Sequence, residues 1–274
     1  MDSRTTPARS DIAAARLKGV VKADAYVDSK PMQVSVPLAP MTRDRDAEGE
    51  MVHQLIFGER FDAYEVDGGW AWGQAALDGY VGYIPEACLI PAMAEPTHRI
   101  DALQALVYPE PNFRARPIGA LPFGARVTPG EASDQFASLD VGGWVGEQTL
   151  KPLDATADWT QTAERFLGAP YLWGGRSAAG FDCSGLVQVA LQAAGRECPR
   201  DSDQQMALGE DVKSPERGDL IFWKGHVGIL VSAKTLLHAN LHHMAVAKEP
   251  LAAAIKRIAK KEFGEVLAIR RLAQ

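Results

Sequence analysis

The hydrophobic pattern changes character along the chain. Over residues 30–152, apolar residues come in short runs separated by glycine and proline, which is typical of short β-strands joined by turns. Over residues 184–194 the apolar positions lie instead on one helical face, and Gly195 follows where a helix would end. These positions are Leu186, Val187, Ala190, Leu191 and Ala194. We therefore predict a β-rich N-terminal part and a helix over residues 184–194.

Residues 218–231 predict a β-hairpin. Ile221 and Trp223 alternate with their neighbours, and Lys224-Gly225 supplies a tight turn. His226 begins the return strand and is expected to face away from Val227. A further short strand over residues 235–240 carries His238.

The β-rich part contains a weak internal repeat. Residues 57–60, Phe-Gly-Glu-Arg, recur as Phe-Gly-Ala-Arg at residues 123–126, and each copy leads into a Gly-aromatic-aliphatic strand. Residues 91–96 fit a joint between the copies, and residues 151–154 fit a joint to the C-terminal part. The repeat predicts two copies of one β module.

Composition and charge exclude several classes of partner. With 274 residues and 46% hydrophobic side chains, the chain can form two or three domains with cores of their own. A net charge of −6 without a long basic run gives no support to binding of nucleic acid or of an anionic membrane. We expect neither as a partner, and the oligomeric state stays open.

Cysteine usage and hydropathy predict a cytoplasmic protein. The 3 cysteines are odd in number and widely separated, so they do not make a disulfide framework. Residues 1–16 lack a continuous apolar stretch, and no later segment approaches the length of a membrane span.

Cys183 stands at the start of the predicted helix. Unpaired backbone N–H groups and the helix dipole favour an anion there, so we expect a lowered thiol pKa and a reactive cysteine. His226 can serve as its base, and His238 can orient the His226 ring. The alternatives are a buried structural thiol, a structural His226, and an exchange of His238 with the nearby His242 or His243.

A metal site is the other chemistry that these residue types allow. His238, His242, His243 and Cys198 all carry ligand atoms, but the chain has no Cys-x-x-Cys pair. We expect no metal and no cofactor.

Three ordered blocks resemble the NlpC/P60 cysteine peptidases, which cut bacterial cell-wall peptides. They are Tyr-x-Trp-Gly-Gly with Gly-Phe-Asp-Cys-Ser-Gly at residues 171–185, Arg-Gly-Asp-Leu with His-Val-Gly-Ile at 217–229, and Leu-His-Ala at 237–239. The resemblance implies an α+β papain-like domain with Cys183 as nucleophile, His226 as general base and His238 as the residue that orients it. It also implies that Tyr171 lies beside the thiolate and helps an oxyanion.

The two β modules resemble bacterial SH3-like domains. The expected organisation is an N-terminal arm (1–29), two small all-β SH3-like barrels (30–92 and 97–152) and an NlpC/P60 peptidase domain (155–274). The modules are expected to shape the substrate cleft; the alternative is that they only pack and solubilise.

A subgroup with this layout hydrolyses the bond between γ-D-glutamate and meso-diaminopimelate or L-lysine in muropeptides that begin with a free L-alanine. The resemblance implies that Asp201 binds the terminal ammonium with help from Ser202, because a buried ammonium needs a counter-charge. The other residues expected to contact substrate are Tyr80, Trp173, Asp182 and Ser184. The alternatives are helix capping for Asp182 and Asp201, a wall role for Tyr171 and Trp173, and Tyr83 or Tyr64 in place of Tyr80.

The sequence therefore predicts a γ-D-glutamyl-L-diamino acid endopeptidase of cell-wall recycling, with a small muropeptide as its substrate. The alternatives are a catalytically silent module that binds peptidoglycan or a protein, and a papain-like amidase or acyltransferase.

Overall fold

The computed structural model describes residues 1–273 and divides the chain into two compact units, the first Met1–Leu153 and the second beginning at Asp154. The N-terminal unit is all-β apart from three single-turn 3-10 helices, Ala15–Leu17, Glu86–Cys88 and Glu147–Thr149. Its strands are β1 (Ile12–Ala14), β2 (Ala25–Val27), β3 (Lys30–Val34), β4 (Leu38–Thr42), β5 (Met51–Ile56), β6 (Arg60–Asp67), β7 (Trp70–Ala75), β8 (Val81–Pro85), β9 (Leu89–Pro91), β10 (His98–Ile100), β11 (Gln104–Val107), β12 (Gly119–Pro122), β13 (Arg126–Val127), β14 (Pro129–Ser133), β15 (Phe136–Leu139), β16 (Trp144–Gly146) and β17 (Leu150–Pro152).

A seven-stranded antiparallel sheet with the order β5-β4-β8-β7-β6-β3-β9 forms the first module. Alternate residues of its strands point into one core, which includes Val34, Met41, Leu55, Phe61, Ala71 and Ile84. The N-terminal arm packs on this module, where Ile12, Leu17 and Val27 contact Tyr64 and Trp72.

The internal repeat is present as a repeated local structure. Gly58 and Gly124 both adopt positive φ, 79° and 85°, in turns with the same backbone hydrogen bonds. In each module a 3-10 helix then leads into the last strand, β9 or β17, which pairs with the first strand, β3 or β10. The two turns also meet, because the Arg126 N–H donates to the Phe57 carbonyl at 2.8 Å.

Replacing Gly58 with alanine is expected to destabilise the protein more than the same change at Gly124. Both substitutions place a side chain at positive φ, but a Cβ at Gly58 would lie 2.0 Å from the Arg126 carbonyl oxygen. At Gly124 the nearest atom to a new Cβ is Ile56 Cδ1 at 3.6 Å. Overpacking against backbone adds about 2 kcal/mol, so urea unfolding should separate the two variants by about that amount. Equal losses of stability would contradict the close contact between the two turns.

The C-terminal unit is an α+β domain. Its elements are α1 (Trp159–Glu164), β18 (Arg176–Ser177), β19 (Gly180–Phe181), α2 (Cys183–Ala193), α3 (Ser202–Gln205), β20 (Glu210–Asp211), β21 (Asp219–Trp223), β22 (His226–Ser232), β23 (Thr235–Asn240), β24 (Ala245–Pro250), α4 (Leu251–Lys261) and β25 (Ala268–Arg271). The main sheet has six antiparallel strands in the order β20-β25-β21-β22-β23-β24.

The predicted helix, hairpin and third strand of this unit are confirmed. The helix spans Cys183–Ala193, and Gly195 follows at φ 72°. In the hairpin, Trp223 pairs with His226 across the Lys224-Gly225 turn. Helix α4 packs on one sheet face, where Leu251, Ala254 and Ile258 join Ile221, Trp223, Leu230 and Leu236. Among residues 1–273, no helix has the length and apolarity that a membrane crossing requires.

Candidate active site

Cys183 is the first residue of α2, and glycines bring the preceding loop close to the helix. A Cβ at Gly185 would lie 2.2 Å from the Gly175 carbonyl oxygen, and one at Gly175 would lie 2.4 Å from the Gly180 carbonyl oxygen. No larger residue fits at these approaches without moving backbone. The glycine-rich block therefore packs the loop tightly beneath a thiol that is only 7% exposed.

Asp182 caps α2 and is buried in an ion pair with Arg200. Its Oδ1 accepts from the Gly185 N–H at 2.7 Å, and its Oδ2 accepts from the Gly174 N–H at 2.9 Å. The Arg200 guanidinium donates to both carboxylate oxygens, and also to Ser184 Oγ at 2.8 Å. With Ser184 Oγ also donating to it, the carboxylate accepts five hydrogen bonds.

Asp182 and Ser184, which are expected to contact substrate, are occupied by hydrogen bonds within the protein. Both side chains are buried, and their polar atoms are already bonded within the protein. The capping alternative is the one observed for Asp182. Arg200 was not singled out by the sequence analysis, although an aspartate beside the nucleophile needs a counter-charge once it is buried.

His226, His238 and Glu249 form a hydrogen-bonded chain. His226 Nε2 lies 2.8 Å from His238 Nδ1, and His238 Nε2 lies 2.8 Å from Glu249 Oε1. His243 bonds instead to Asn240 Oδ1 at 3.0 Å, so His238 is the histidine paired with His226. Glu249 was not identified from the sequence.

The Cys183 thiol adjoins the start of the strand that carries His226. The Val227 backbone N–H forms a hydrogen bond to the sulfur and lowers its pKa, as does the Ser184 backbone N–H. Tyr171 lies within electrostatic range of Cys183 and Asp182, and burial raises the pKa of its phenol, which therefore stays protonated as a donor. The structure thus brings Cys183, Tyr171 and the first residues of β22 together.

The expected lowering of the Cys183 pKa is wrong for this structure. Burial raises the pKa of the thiol to about 12, and the Asp182 carboxylate raises it further, against the opposing backbone N–H groups and Arg200. Burial also lowers the pKa of His226 to about 3, with the positive potential of His238 and Arg257 acting in the same direction. Both shifts favour a neutral thiol beside a neutral imidazole.

Alkylation of Cys183 is expected to accelerate with pH without levelling off near neutrality. Only the thiolate reacts with iodoacetamide, and a pKa raised from 9.0 to about 12 leaves that fraction rising tenfold per pH unit far into the alkaline range. The rate can be followed by mass spectrometry in a Cys88→Ala, Cys198→Ala protein, in which Cys183 is the remaining thiol. A plateau at or below pH 8 would indicate a lowered pKa instead.

The remaining predicted substrate residues of this unit lie in the loops around α2. Trp173 is 54% exposed, on the loop between Tyr171 and Gly174. Asp201 and Ser202 are half-buried at the start of α3, where Asp201 and Gln204 form a capping box. Gln205 ties α3 to the nucleophile helix, since its Nε2 donates to the Ser184 carbonyl at 3.0 Å.

Tyr80, the tyrosine expected to contact substrate, lies in the core of the first module. Its side chain is 2% exposed and its ring meets His53 edge-on, with the centroids 5.3 Å apart. Tyr64 is also buried, whereas Tyr83 is half-buried and its hydroxyl accepts a hydrogen bond from Arg9. Of the three tyrosines considered, Tyr83 is therefore the most accessible and Tyr80 the least.

The His and Cys residues considered as metal ligands form no metal-binding cluster. Within residues 1–273, no three His, Cys, Asp or Glu side chains come together in a way that could hold a metal ion. Cys198 is buried, and its thiol hydrogen-bonds to the Pro199 carbonyl at 3.5 Å.

Residues 168–261 match the NlpC/P60 family, and residues 42–89 match the bacterial dipeptidyl-peptidase Sh3 domain. A gamma-D-glutamyl-L-lysine dipeptidyl-peptidase of Bacillus subtilis is 42% identical over 92 residues, which are 30% of this chain and 31% of that protein. A Bacillus cereus protein of the same name is 27% identical over 233 residues, 75% of this chain and 66% of that one. This chain thus covers less than two thirds of the length of either relative.

The fold comparison agrees with the family matches. The crystal structure of an NlpC/P60 family protein from Bacillus cereus superposes with a TM-score of 0.75 at 19% identity, covering 89% of this chain and 100% of that one. At this identity the likeness establishes the fold, an α+β NlpC/P60-type domain after a β-rich SH3-like region, as predicted. The chain therefore combines a region that matches the NlpC/P60 family with a region, earlier in the sequence, that matches the bacterial dipeptidyl-peptidase Sh3 domain.

Proposed function

We propose that this protein is a cysteine endopeptidase that hydrolyses the bond between γ-D-glutamate and meso-diaminopimelate or L-lysine in cell-wall peptides with a free N-terminal L-alanine. The observation that carries the proposal is the buried thiol at the start of α2, beside a strand whose first residue belongs to the His226-His238-Glu249 chain. The names of the Bacillus relatives, gamma-D-glutamyl-L-lysine dipeptidyl-peptidase, support the choice of bond.

The reaction begins from the neutral pair. His226 takes the proton of Cys183 as the sulfur attacks the γ-D-glutamyl carbonyl carbon, and the resulting imidazolium protonates the departing amine. A thioester to Cys183 remains. Water then gives a proton to His226 and adds its hydroxyl group to the acyl carbon. The C–S bond breaks and releases L-Ala-D-Glu, and His226 returns the proton to the Cys183 thiolate.

The Tyr171 hydroxyl and backbone N–H groups are proposed to stabilise the oxyanion. Burial raises the pKa of Tyr171, so the phenol remains a hydrogen-bond donor throughout the working range. The Val227 and Ser184 N–H groups already point toward the sulfur in the resting protein.

Recognition of the free amine is assigned to Asp201, with Ser202 beside it. The carboxylate supplies the counter-charge that an ammonium leaving water requires. Asp201 is half-buried and held near the nucleophile helix through Gln205, while the exposed Trp173 offers a wall for the peptide.

A role in cytoplasmic recycling of cell-wall peptides is part of the proposal. The free thiols Cys88, Cys183 and Cys198 are what a reducing compartment preserves. A free N-terminal L-alanine occurs only on peptides already released from the glycan, so the preferred substrate is a product of earlier wall hydrolysis.

Mass spectrometry of the products from L-Ala-γ-D-Glu-meso-diaminopimelate and its N-acetylated form tests the proposal. Cleavage of the free-amine peptide alone is expected, with L-Ala-D-Glu as the product. Equal cleavage of both peptides would support the peptidase activity but contradict the proposed recognition of the free amine by Asp201. No cleavage of either under reducing conditions would favour the binding-module alternative, and product formation that requires an added acceptor would favour an acyltransferase.

A further inference from the structure

Glu249 ends the hydrogen-bonded chain that begins at His226. It lies on β24 diagonally opposite His238, on the same sheet face, since Leu236 pairs with Glu249 and His238 with Ala247. His226 is 2% exposed and His238 is fully buried, so most of their ring nitrogens cannot form hydrogen bonds with bulk water. The carboxylate is the terminal acceptor of the chain.

His238 and Arg257, the latter on α4, together keep this carboxylate ionised. Arg257 Nη2 donates to Glu249 Oε1 at 2.6 Å, the same oxygen that lies 2.8 Å from His238 Nε2. The hydrogen bond with His238, followed by that with Arg257, holds the pKa of Glu249 down at about 2. An ionised carboxylate can only accept hydrogen bonds, so the proton of the neutral His238 ring must reside on Nε2.

The position of the proton on His238 determines its position on His226. A neutral His238 protonated on Nε2 has a bare Nδ1, which can only accept. His226 Nε2, 2.8 Å away, must then be its donor. The lone pair of the neutral His226 ring is therefore on Nδ1, and Nδ1 is the nitrogen left to take a proton from the nucleophile.

Packing around His226 does not by itself determine which of its ring nitrogens is protonated. Phe263 stacks on the imidazole with centroids 4.9 Å apart and planes 13° apart, and Trp223 lies 5.7 Å away. Stacking fixes the plane of the ring, but it does not determine which nitrogen carries the proton. The hydrogen bonds that link His226 through His238 to Glu249 determine which nitrogen is protonated.

We propose that Glu249 is a positioning residue that sets the tautomers of both His238 and His226 and so leaves His226 Nδ1 as the proton acceptor. Only the role of His226 Nδ1 as the acceptor of the nucleophile's proton rests on the proposed function. The tautomers themselves are a property of the resting protein.

Nitrogen-15 NMR of the histidine side chains in the full chain tests the proposal without substrate. We expect both His226 and His238 of the wild type to be protonated on Nε2. Glu249→Met removes the acceptor and leaves the Arg257 donors facing His238, so both rings should switch to protonation on Nδ1. Glu249→Gln keeps an acceptor oxygen and should keep the wild-type tautomers.

Glu262→Gln is the matched control. Glu262 pairs with Nη1 of the same Arg257 guanidinium, so this variant changes the same type of group on the same arginine while leaving Glu249 in place. It should keep the wild-type tautomers. A switch in Glu262→Gln, unchanged tautomers in Glu249→Met, or Nδ1 protonation of either ring in the wild type would overturn the proposal.

Turnover supplies the second measurement. Because His226 Nδ1 of Glu249→Met carries a proton, we expect kcat to fall about 100-fold or more, the scale of general-base catalysis, with Glu249→Gln much nearer to wild type. A folded wild type with the expected tautomers but no peptide cleavage would count against the proposed function and would leave the role of Glu249 in setting the tautomers supported.

Discussion

Cys183→Ala is expected to lower turnover of L-Ala-γ-D-Glu-meso-diaminopimelate by about 10⁴-fold or more. Alanine removes the atom that forms the thioester, and what remains is binding and oxyanion stabilisation, which account for only part of the rate enhancement of nucleophilic hydrolases. Because the thiol occupies little volume and is 7% exposed, the variant should fold as the wild type does. Product formation measured by mass spectrometry, with circular dichroism on the same samples, checks both statements.

Cys198→Ala is the matched control for this prediction. Cys198 is also buried, at 2% exposure, but its thiol bonds to the Pro199 carbonyl rather than to the start of β22. The same chemical change there should leave turnover within about threefold of wild type. Comparable losses in both variants would show that the effect of Cys183 is structural, and retained turnover in Cys183→Ala would exclude it as the nucleophile.

Arg200→Met should cost about 3–5 kcal/mol of stability, the range for breaking a buried ion pair by removing one partner. The guanidinium and the Asp182 carboxylate have side-chain exposures of 1% and 8%, so the carboxylate left behind cannot be solvated in place. Methionine has a similar length and keeps much of the packing. Urea unfolding with a common m-value measures the loss.

Arg217→Met provides the comparison for this effect. Arg217 pairs with Asp158 at 3.0 Å, but the two side chains are 39% and 43% exposed. Water replaces such a partner, so the loss should stay under about 1 kcal/mol. If the two arginine variants lose similar stability, burial of the Asp182-Arg200 pair is not what stabilises the start of α2.

The secondary structure around the site could be predicted because its signals are local. Helical spacing of apolar residues with a glycine stop places α2, and alternation about Lys224-Gly225 places the hairpin that begins β22 at His226. The Phe-Gly repeat likewise encodes a turn at positive φ in each module, which glycine alone adopts without strain.

The electrostatics of the site could not be predicted in the same way. The sign of the Cys183 pKa shift depends on burial by distant parts of the chain, whereas the helix N-terminus is visible in a few consecutive residues. Arg200 reaches its partner across 18 residues, and Glu249 reaches His238 across 11 residues. Neither pairing leaves a periodic trace in the sequence, because each depends on how the elements pack.

The neutral, buried state of Cys183 bears on how the protein survives between turnovers. Peroxides attack thiolates far faster than thiols, and exposed sulfur faster than buried sulfur. A thiol with its pKa raised to about 12 and 7% exposure is therefore a poor target for oxidation while the protein is idle. In the proposed reaction the sulfur loses its proton as it attacks the peptide, so we expect the resting protein to resist the oxidative inactivation to which permanently ionised cysteines are prone.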